Sequence, residues 1–139
     1  MQRETVEIPK PSPATVRLRS VLPPAGSEIT PATTIVVELE YSVERFERNR
    51  FKVGATAAQA RPGYSWSLAP TNGEESQMLH EAAGIRRVRF NAKSLWEKPD
   101  LKHPFEITFT VNQLVGTWGA SVEAAKTAPI IFKSATARR

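Results

Sequence analysis

The sequence predicts an all-β fold, an antiparallel β-sandwich of about seven strands with a short helical insert. Two observations support this prediction. Apolar and polar residues alternate with a period of two in several separate segments, as expected for strands with one buried face. Between these segments lie clusters of proline, glycine and asparagine, which break strands and form turns. The chain of 139 residues is long enough for one domain with a single core.

The clearest alternation predicts a strand over residues 34–43, where Ile35, Val37 and Leu39 share the inward face and Glu38 and Glu40 the outward one. A sixth strand over 105–114 follows the same rule, and its inward residues are Phe105, Ile107, Phe109 and Val111. The complete set of predicted strands is 15–22, 34–43, 50–58, 64–69, 85–92, 105–114 and a seventh that ends in the segment APIIFKS.

Turn chemistry sets the ends of these strands. Pro23 and Pro24 end the first strand because proline lacks the backbone donor that a ladder needs. The segments RPG and GTWG predict hairpins after the third and sixth strands. The segment TNGEESQMLHEAAG does not alternate, and its early glutamates and closing Gly84 predict one or two helical turns within a connection.

The domain is expected over residues 14–135, after a flexible, proline-containing lead-in at 1–13 and before a tail at 136–139. No window approaches about 18 consecutive apolar residues, so no membrane span is expected. The amino-terminal segment contains no apolar stretch typical of a signal peptide. Cysteine is absent, which excludes disulfides, thiolate catalysis and cysteine-ligated metals.

Seven short strands in sequential antiparallel order fit an immunoglobulin-like sandwich better than a closed barrel, which is the structural alternative. The segment SVLPPAGSEITPATTIVVELEYSV resembles the opening of bacterial immunoglobulin-like domains, and FEITFTVNQLVGTWG with the later APIIF resembles their last hairpin. The resemblance implies a spacer, adhesion or accessory binding domain of bacterial surface, secreted or envelope proteins. It implies no catalytic chemistry.

Few residues suggest catalysis. The chain has two histidines, His80 and His103, a single aspartate, Asp100, and none of the common catalytic or phosphate-binding motifs. Glu74, Glu75 and the pair formed by His80 and Glu81 lack the spacing of three or four convergent metal ligands. The sequence therefore predicts a protein that is not an enzyme and uses no metal or cofactor.

Two basic segments, RFERNRFK and IRRVRFNAK, suggest one possible binding surface. The net charge of +5 permits attraction to a polyanion. On this hypothesis an anion-binding surface contains Arg50, Lys52, Arg87 and Arg89. Arg86 shares the inward phase of its strand, so it is expected at the strand end or at a bulge.

Immunoglobulin-like topology predicts a different arrangement of these charges. The second and fifth strands are neighbours in one sheet, and the third and sixth strands pair in the other. The basic residues are then expected on opposite outer faces, in cross-strand ion pairs that contribute little to stability. The expected partners are Glu38 and Glu40 for Arg87 and Arg89, and Glu106 for Arg50 and Lys52.

Loops at one end of the sandwich form the preferred candidate site. The connections after the second strand, before the fifth, and between the sixth and seventh are expected to cluster there. The candidate partner-binding residues are Arg45, Phe46, Arg48, Met78, Leu79, Thr117 and Trp118. The alternative is that Phe46, Met78, Leu79 and Trp118 pack together as a lid over the core.

The functional prediction is a non-enzymatic binding module that recognises a protein partner through this loop end. The first alternative is a carbohydrate- or polyanion-binding domain that uses the basic strand faces or an aromatic platform of Tyr64 and Trp66. The second alternative is a structural spacer. The resemblance favours an envelope or secreted location.

Overall fold

The computed structural model describes residues 12–61, 64–97, 100–101, 104–115 and 120–134. These residues form an all-β structure in which two sheets pack against each other. The strands are β1 (Ala14–Leu22), β2 (Glu28–Ile29), β3 (Thr34–Val43), β4 (Phe51–Ala58), β5 (Ser65–Ser67), β6 (Ala83–Asn91), β7 (Phe105–Val115), β8 (Ala120–Lys126) and β9 (Ile130–Ser134). Two 3-10 turns cover Glu74–Gln77 and Lys93–Trp96. No helical segment in this described part is long and apolar enough to cross a membrane.

The smaller sheet has the strand order β1-β3-β6, and both pairs are antiparallel. The larger sheet has the order β2-β9-β7-β4-β5, and β8 also pairs with β7. Within the larger sheet β2 and β9 are parallel, whereas β4 and β7 are antiparallel. The predicted pairing of the second with the fifth strand and of the third with the sixth is confirmed.

The core lies between the two sheets and is rich in phenylalanine. Phe90 of the smaller sheet and Phe109 of the larger one are fully buried, and their ring centroids are 6.2 Å apart. Apolar side chains in the inward phase of the alternating strands fill the rest, as they must if a half-buried sheet is to remove them from water. The predicted inward residues Ile35, Val37, Leu39, Phe105, Ile107, Phe109 and Val111 are all buried.

The described residues form nine strands, not about seven. The strand β2 has two residues, too few to show any alternation in the sequence. In place of the predicted seventh strand there are two strands, β8 and β9. Between them the Thr127 N–H still donates to the Phe109 carbonyl of β7 at 2.8 Å, but Pro129 has no N–H to donate. The predicted helical insert is one 3-10 turn, Glu74–Gln77, and the turn at Lys93–Trp96 was not predicted.

Between β1 and β2 the chain crosses from the smaller sheet to the larger one. The strand β1 ends at Leu22, directly before the two prolines, as predicted. Gly26 has a φ of 91°, a conformation that glycine adopts without steric cost, and its N–H donates to the Ile131 carbonyl at 2.6 Å. The Lys133 N–H donates to the Ser27 carbonyl at 2.9 Å. These bonds join the crossing segment to β9.

The last two residues of the expected lead-in are held by the fold. Ser12 is buried, and its N–H donates to Gln113 Oε1 at 2.8 Å. The Glu44 N–H donates to the Pro13 carbonyl at 2.9 Å. The expected lead-in over 1–11 and the tail at 136–139 lie outside the described residues.

Candidate binding surfaces

Two of the predicted loops meet at one end of the sandwich. The Leu79 N–H donates to the Phe51 carbonyl at 2.9 Å, which joins the segment before β6 to the start of β4. The Leu114 N–H donates to the Arg50 carbonyl at 2.7 Å, which joins the end of β7 to the β3–β4 loop. Thr117 and Trp118 follow β7 but lie outside the described residues, as does His103.

Two apolar residues of this loop end, Leu79 and Phe46, pack with the core. Leu79 is fully buried. Phe46 is half-buried and stacks on Phe51 with ring centroids 5.5 Å apart. Met78 is half-buried and bridges to Lys52 through the backbone. Phe46 and Leu79 therefore contribute little apolar surface to this end, whereas the lid alternative also involves Trp118, which lies outside the described residues.

Arginine and glutamate dominate the exposed side chains of the β3–β4 loop. Arg45, Arg48 and Arg50 are exposed in the β3–β4 loop, together with Glu44 and Glu47. The Arg45 carbonyl accepts a long hydrogen bond of 3.5 Å from the Ser12 hydroxyl. This loop therefore presents three positive and two negative charges, with no large apolar side chain fully exposed between them.

A second surface is the outer face of the smaller sheet, called here the arginine face. The strand registers place Arg17 opposite Glu40 and Arg87 opposite Glu38. Arg19 is the extra residue at a bulge in β1, where the register shifts between Leu18 and Ser20. The residues of the arginine face are Arg17, Arg19, Leu22, Val36, Glu38, Glu40, Ile85, Arg87 and Arg89.

On this face two glutamates meet three arginines. Arg17 pairs with Glu40, and Arg87 Nη2 lies 3.3 Å from Glu38 Oε2. Arg19 reaches both carboxylates, at 3.6 Å to Glu38 and 3.7 Å to Glu40. Exposed pairs of this kind stabilise the fold by at most about 1 kcal/mol each. They bring three guanidinium groups together around two carboxylates.

Positive charge remains in excess on the arginine face. Arg89 lies opposite Val36 and makes no ion pair with any described residue. Four arginines therefore accompany two glutamates. Leu22 is 60% exposed and Ile85 is 53% exposed, so two aliphatic side chains lie within the same charged surface.

The predicted ion pairs are confirmed in part. Arg87 does lie beside Glu38, but Arg89 lies beside Val36 because the β3–β6 register puts Ile85 opposite Glu40. The pairing of Lys52 and Arg50 with Glu106 was wrong. Lys52 lies opposite Asn112 and Phe51 opposite Gln113, whereas Glu106 lies opposite Ile131 at the other end of β7.

The four residues of the anion-binding hypothesis do not form one surface. Arg50 precedes β4 and Lys52 lies on it, in the larger sheet, whereas Arg87 and Arg89 lie on β6 in the smaller sheet. The residues that do accompany Arg87 and Arg89 are Arg17 and Arg19, which the prediction missed. Their signal was present, because both alternate with apolar residues in the segment TVRLRSVL.

Arg86 occupies the inward phase of β6 without sitting at the strand end or at a bulge. It lies opposite Leu39, and its Nη2 donates to the Ser76 carbonyl at 2.7 Å, so it binds the end of a 3-10 turn. Its Nε is buried and has no hydrogen-bond partner among the described residues. An open cavity of about 220 Å³ adjoins the side chain and is lined by Tyr41, His80, Glu81, Ile85 and Arg86.

Tyr41 forms the inner wall of this cavity. Its hydroxyl donates to the Glu81 carbonyl at 2.9 Å. Burial raises the pKa of the Tyr41 phenol, the negative charge of Glu81 raises it further, and the backbone hydrogen bond and the nearby Arg86 partly oppose the shift. The neutral phenol is therefore the form that the fold favours.

The predicted aromatic platform does not form as a pair. Tyr64 is 55% exposed, and the Arg61 guanidinium lies 4.9 Å above its ring. Trp66 is half-buried, lies opposite Ala57 and packs against the core. Only Tyr64 has the exposure that a stacking ligand requires.

The outer face of the larger sheet carries a polar groove of about 200 Å³. Gly54 is buried at its base even though it lies in the outward phase of β4, because Thr110 and Asn112 lean over it. The groove is lined by Lys52, Gly54, Ala55, Thr56, Ser67, Leu68, Gln77, Asn112 and Ser121. Gln77 completes the edge of β4 by donating from Nε2 to the Val53 carbonyl at 2.8 Å.

Among the residues with described positions, no group of three or more histidine, cysteine, aspartate or glutamate side chains is arranged to hold a metal ion. No protein-family model matches the chain. No curated protein matches it either.

Proposed function

We propose that the chain is a non-enzymatic interaction module with an immunoglobulin-like sandwich. The strand order supports this proposal. In constant-type immunoglobulin domains the first, second, fourth and fifth strands share one sheet, and the third, sixth and seventh form the other. The fourth predicted strand departs from that pattern, because β5 pairs with β4 in the larger sheet. Here β1, β3 and β6 share the smaller sheet, and the short β2 joins the last strand, β9, in parallel.

The proposed partner is a protein with an acidic surface, and the proposed binding surface is the arginine face. The observation that carries this proposal is the array of four arginines around Glu38 and Glu40, flanked by exposed Leu22 and Ile85. Arginine is enriched at binding hot spots because its planar group forms several directed hydrogen bonds to carboxylates. The existing ion pairs preorganise these groups, which lowers the entropy cost of binding.

A protein partner fits this face better than a uniform polyanion. Glu38 and Glu40 lie among the arginines and would repel a continuous array of phosphates or sulfates. The exposed side chains of Leu22 and Ile85 gain free energy only from an apolar counterpart. A protein surface can supply carboxylates and aliphatic side chains together.

The test is selection of peptides from a phage-displayed library against the protein. The variant carrying Arg17→Gln and Arg87→Gln is compared with a matched variant carrying Arg61→Gln and Lys133→Gln, which loses the same charge away from the arginine face. We expect enriched peptides that combine acidic and aliphatic residues, bind the matched control normally, and lose affinity for the Arg17/Arg87 variant.

Two outcomes would contradict this proposal. Enriched peptides that bind the Arg17/Arg87 variant as well as the wild type would place binding elsewhere. A higher affinity for heparin than for any selected peptide, with a heparin affinity that falls steeply as salt rises, would favour the polyanion alternative.

The loop end is the second candidate surface, because the backbone bonds that join its loops hold the exposed Arg45 and Arg48 at one end of the sandwich. A variant with Arg45→Gln, Arg48→Gln and Trp118→Ala tests it on the same peptides. Loss of binding in this variant alone would favour the loop end. Absence of any selected peptide would favour the spacer alternative.

A further inference from the structure

The strand β6 has an open edge. Its whole length pairs with β3 on one side. On the other side only its last residues are paired, since the Thr71 N–H donates to the Arg89 carbonyl at 2.9 Å and the Asn91 N–H donates to the Ala69 carbonyl at 2.8 Å. The described part of the chain provides no backbone partner beyond that point.

The register identifies the groups that this edge presents. In an antiparallel pair, alternate residues direct their N–H and C=O groups to opposite sides of the strand. Arg89 and Asn91 direct theirs away from β3, so Arg87 and Ile85 must do the same. At Ile85 and Arg87 the open edge therefore presents two N–H groups and two carbonyls, beside the exposed Ile85 side chain.

The cavity beside Arg86 adjoins this edge on the inner side of the strand. Arg86 uses one nitrogen to bind the Ser76 carbonyl, and its buried Nε makes no hydrogen bond with the described residues. The other titratable groups that line the cavity are Tyr41, His80 and the carboxylate of Glu81. The Arg86 guanidinium lines this cavity of about 220 Å³, and a guanidinium forms charge-assisted hydrogen bonds with a carboxylate.

We propose that the open edge of β6 receives an extended peptide as a fourth strand of the smaller sheet, with an acidic side chain of that peptide beside Arg86. The proposal rests on the proposed function of binding an acidic partner, and it adds a contact with Arg86 on the inner side of β6, away from the arginine face. Backbone pairing with Ile85 and Arg87 would supply affinity, and alternate side chains would supply specificity. An aliphatic side chain of the peptide would lie beside Ile85, because cross-strand neighbours are about 5 Å apart.

Other described edges are less suited to this role. The edge strand β5 has three residues and β2 has two. The strand β1 is longer, but it lies alongside the turn between β8 and β9, with a cavity lined by Val16, Leu18 and Thr127 between them. The open part of β6, residues 83–88, combines length, exposure and an adjoining cavity lined by Arg86.

The experiment uses three capped nine-residue peptides. The first alternates valine and glutamate, the second has lysine in place of glutamate, and the third is the glutamate peptide with alternate backbone amides methylated. Affinity is measured by calorimetry, and amide exchange at Ile85 and Arg87 is followed by NMR. We expect binding only of the first peptide, with slowed exchange at both amides, and an affinity lower by about tenfold or more for Arg86→Gln but not for Lys133→Gln.

Equal binding of the methylated peptide, or unchanged exchange at Ile85 and Arg87, would overturn strand addition. The exchange measurement on the wild-type protein decides this even if Arg86→Gln fails to fold. If binding in that case still depends on Arg17 and Arg87, the result contradicts only strand addition at β6. The proposed function, binding of an acidic partner by the arginine face, is then still supported. A dimer that the first peptide dissociates would make a second copy of the chain, not a peptide, the occupant of the edge.

Discussion

At the scale of single residues, Tyr41 combines burial with a titratable group. It is 6% exposed, and its hydroxyl donates to the Glu81 carbonyl. The folded protein holds the phenolic proton more tightly than the unfolded chain does, because the pKa of Tyr41 is raised above 10.0. The stability contributed by the neutral phenol is thus complete below pH 10.0 and declines as pH rises through the folded pKa.

Tyr41→Phe should lower the free energy of unfolding by about 0.5 to 1.5 kcal/mol at neutral pH, through loss of one hydrogen bond. The difference from the wild type should shrink at alkaline pH, since only the wild type has this phenol to ionise. Urea denaturation at a series of pH values measures both effects. The control variant Tyr64→Phe, changed at an exposed site, should lose stability at alkaline pH as the wild type does. A difference in unfolding free energy between Tyr41→Phe and the wild type that stays constant with pH would contradict the role given to the Tyr41 phenol.

Gly54 provides a second prediction at this scale. A Cβ at this position would lie 2.9 Å from Asn112 Nδ2 and 3.0 Å from Thr110 Oγ1. Gly54→Ala should therefore destabilise the protein by about 1 to 3 kcal/mol, although alanine is normally better than glycine within a strand. In an Asn112→Ala background the same change should cost less than about 1 kcal/mol. A double-mutant cycle by urea denaturation measures this, and simple additivity would contradict it.

At the scale of elements, the β3–β4 loop tests the lid against the ligand site. Phe46 stacks on the buried Phe51, so Phe46→Ala should lower the free energy of unfolding by about 1 to 3 kcal/mol. Arg48→Ala in the same loop, at an exposed position, should change it by no more than about 0.5 kcal/mol. Thermal and urea denaturation measure both variants. Unchanged stability of Phe46→Ala would favour a binding role for this ring.

Strands with strong alternation could be predicted from the sequence almost to the residue. The prediction for 34–43 matches β3, and 105–114 matches β7 to within one residue. The two-residue β2 could not be predicted, because its pairing with β9 depends on where the crossing segment places it. Local propensity carries no information about such a long-range contact.

Register was harder to predict than strand identity. Assigning Glu106 to Lys52 required knowing how far β7 slides past β4, and a shift along an antiparallel pair changes every cross-strand neighbour. The alternation in the sequence was enough to predict the inward phase of Arg86. Its hydrogen bond to the Ser76 carbonyl could not be predicted, because it depends on how the preceding 3-10 turn packs against the strand. The arginine face was missed because the prediction considered only the pairing of the second strand with the fifth. Half of the guanidinium groups on this face come from β1, which pairs with the other edge of β3.

At the scale of the whole molecule, the excess positive charge is divided between the two sheets. Arg50 and Lys52 lie with the larger sheet, and Arg87 and Arg89 with the smaller one. Replacing either pair by glutamine should lower the salt concentration needed for elution from a cation-exchange resin. The decreases in elution salt concentration caused by the two pairs should add in the combined variant, because distant sites act independently. A loss in the combined variant that exceeds the sum would indicate one continuous surface.

The parallel contact between β2 and β9 also determines how the domain responds to mechanical load. Tension that enters β2 from its amino end and leaves β9 from its carboxyl end pulls the two strands in opposite directions along their length. The bonds from Gly26 to Ile131 and from Lys133 to Ser27 are then sheared together and cannot open one after another. Once tension from the amino end has separated β1 from β3, resistance to further stretching therefore depends on the few residues that follow the proline pair.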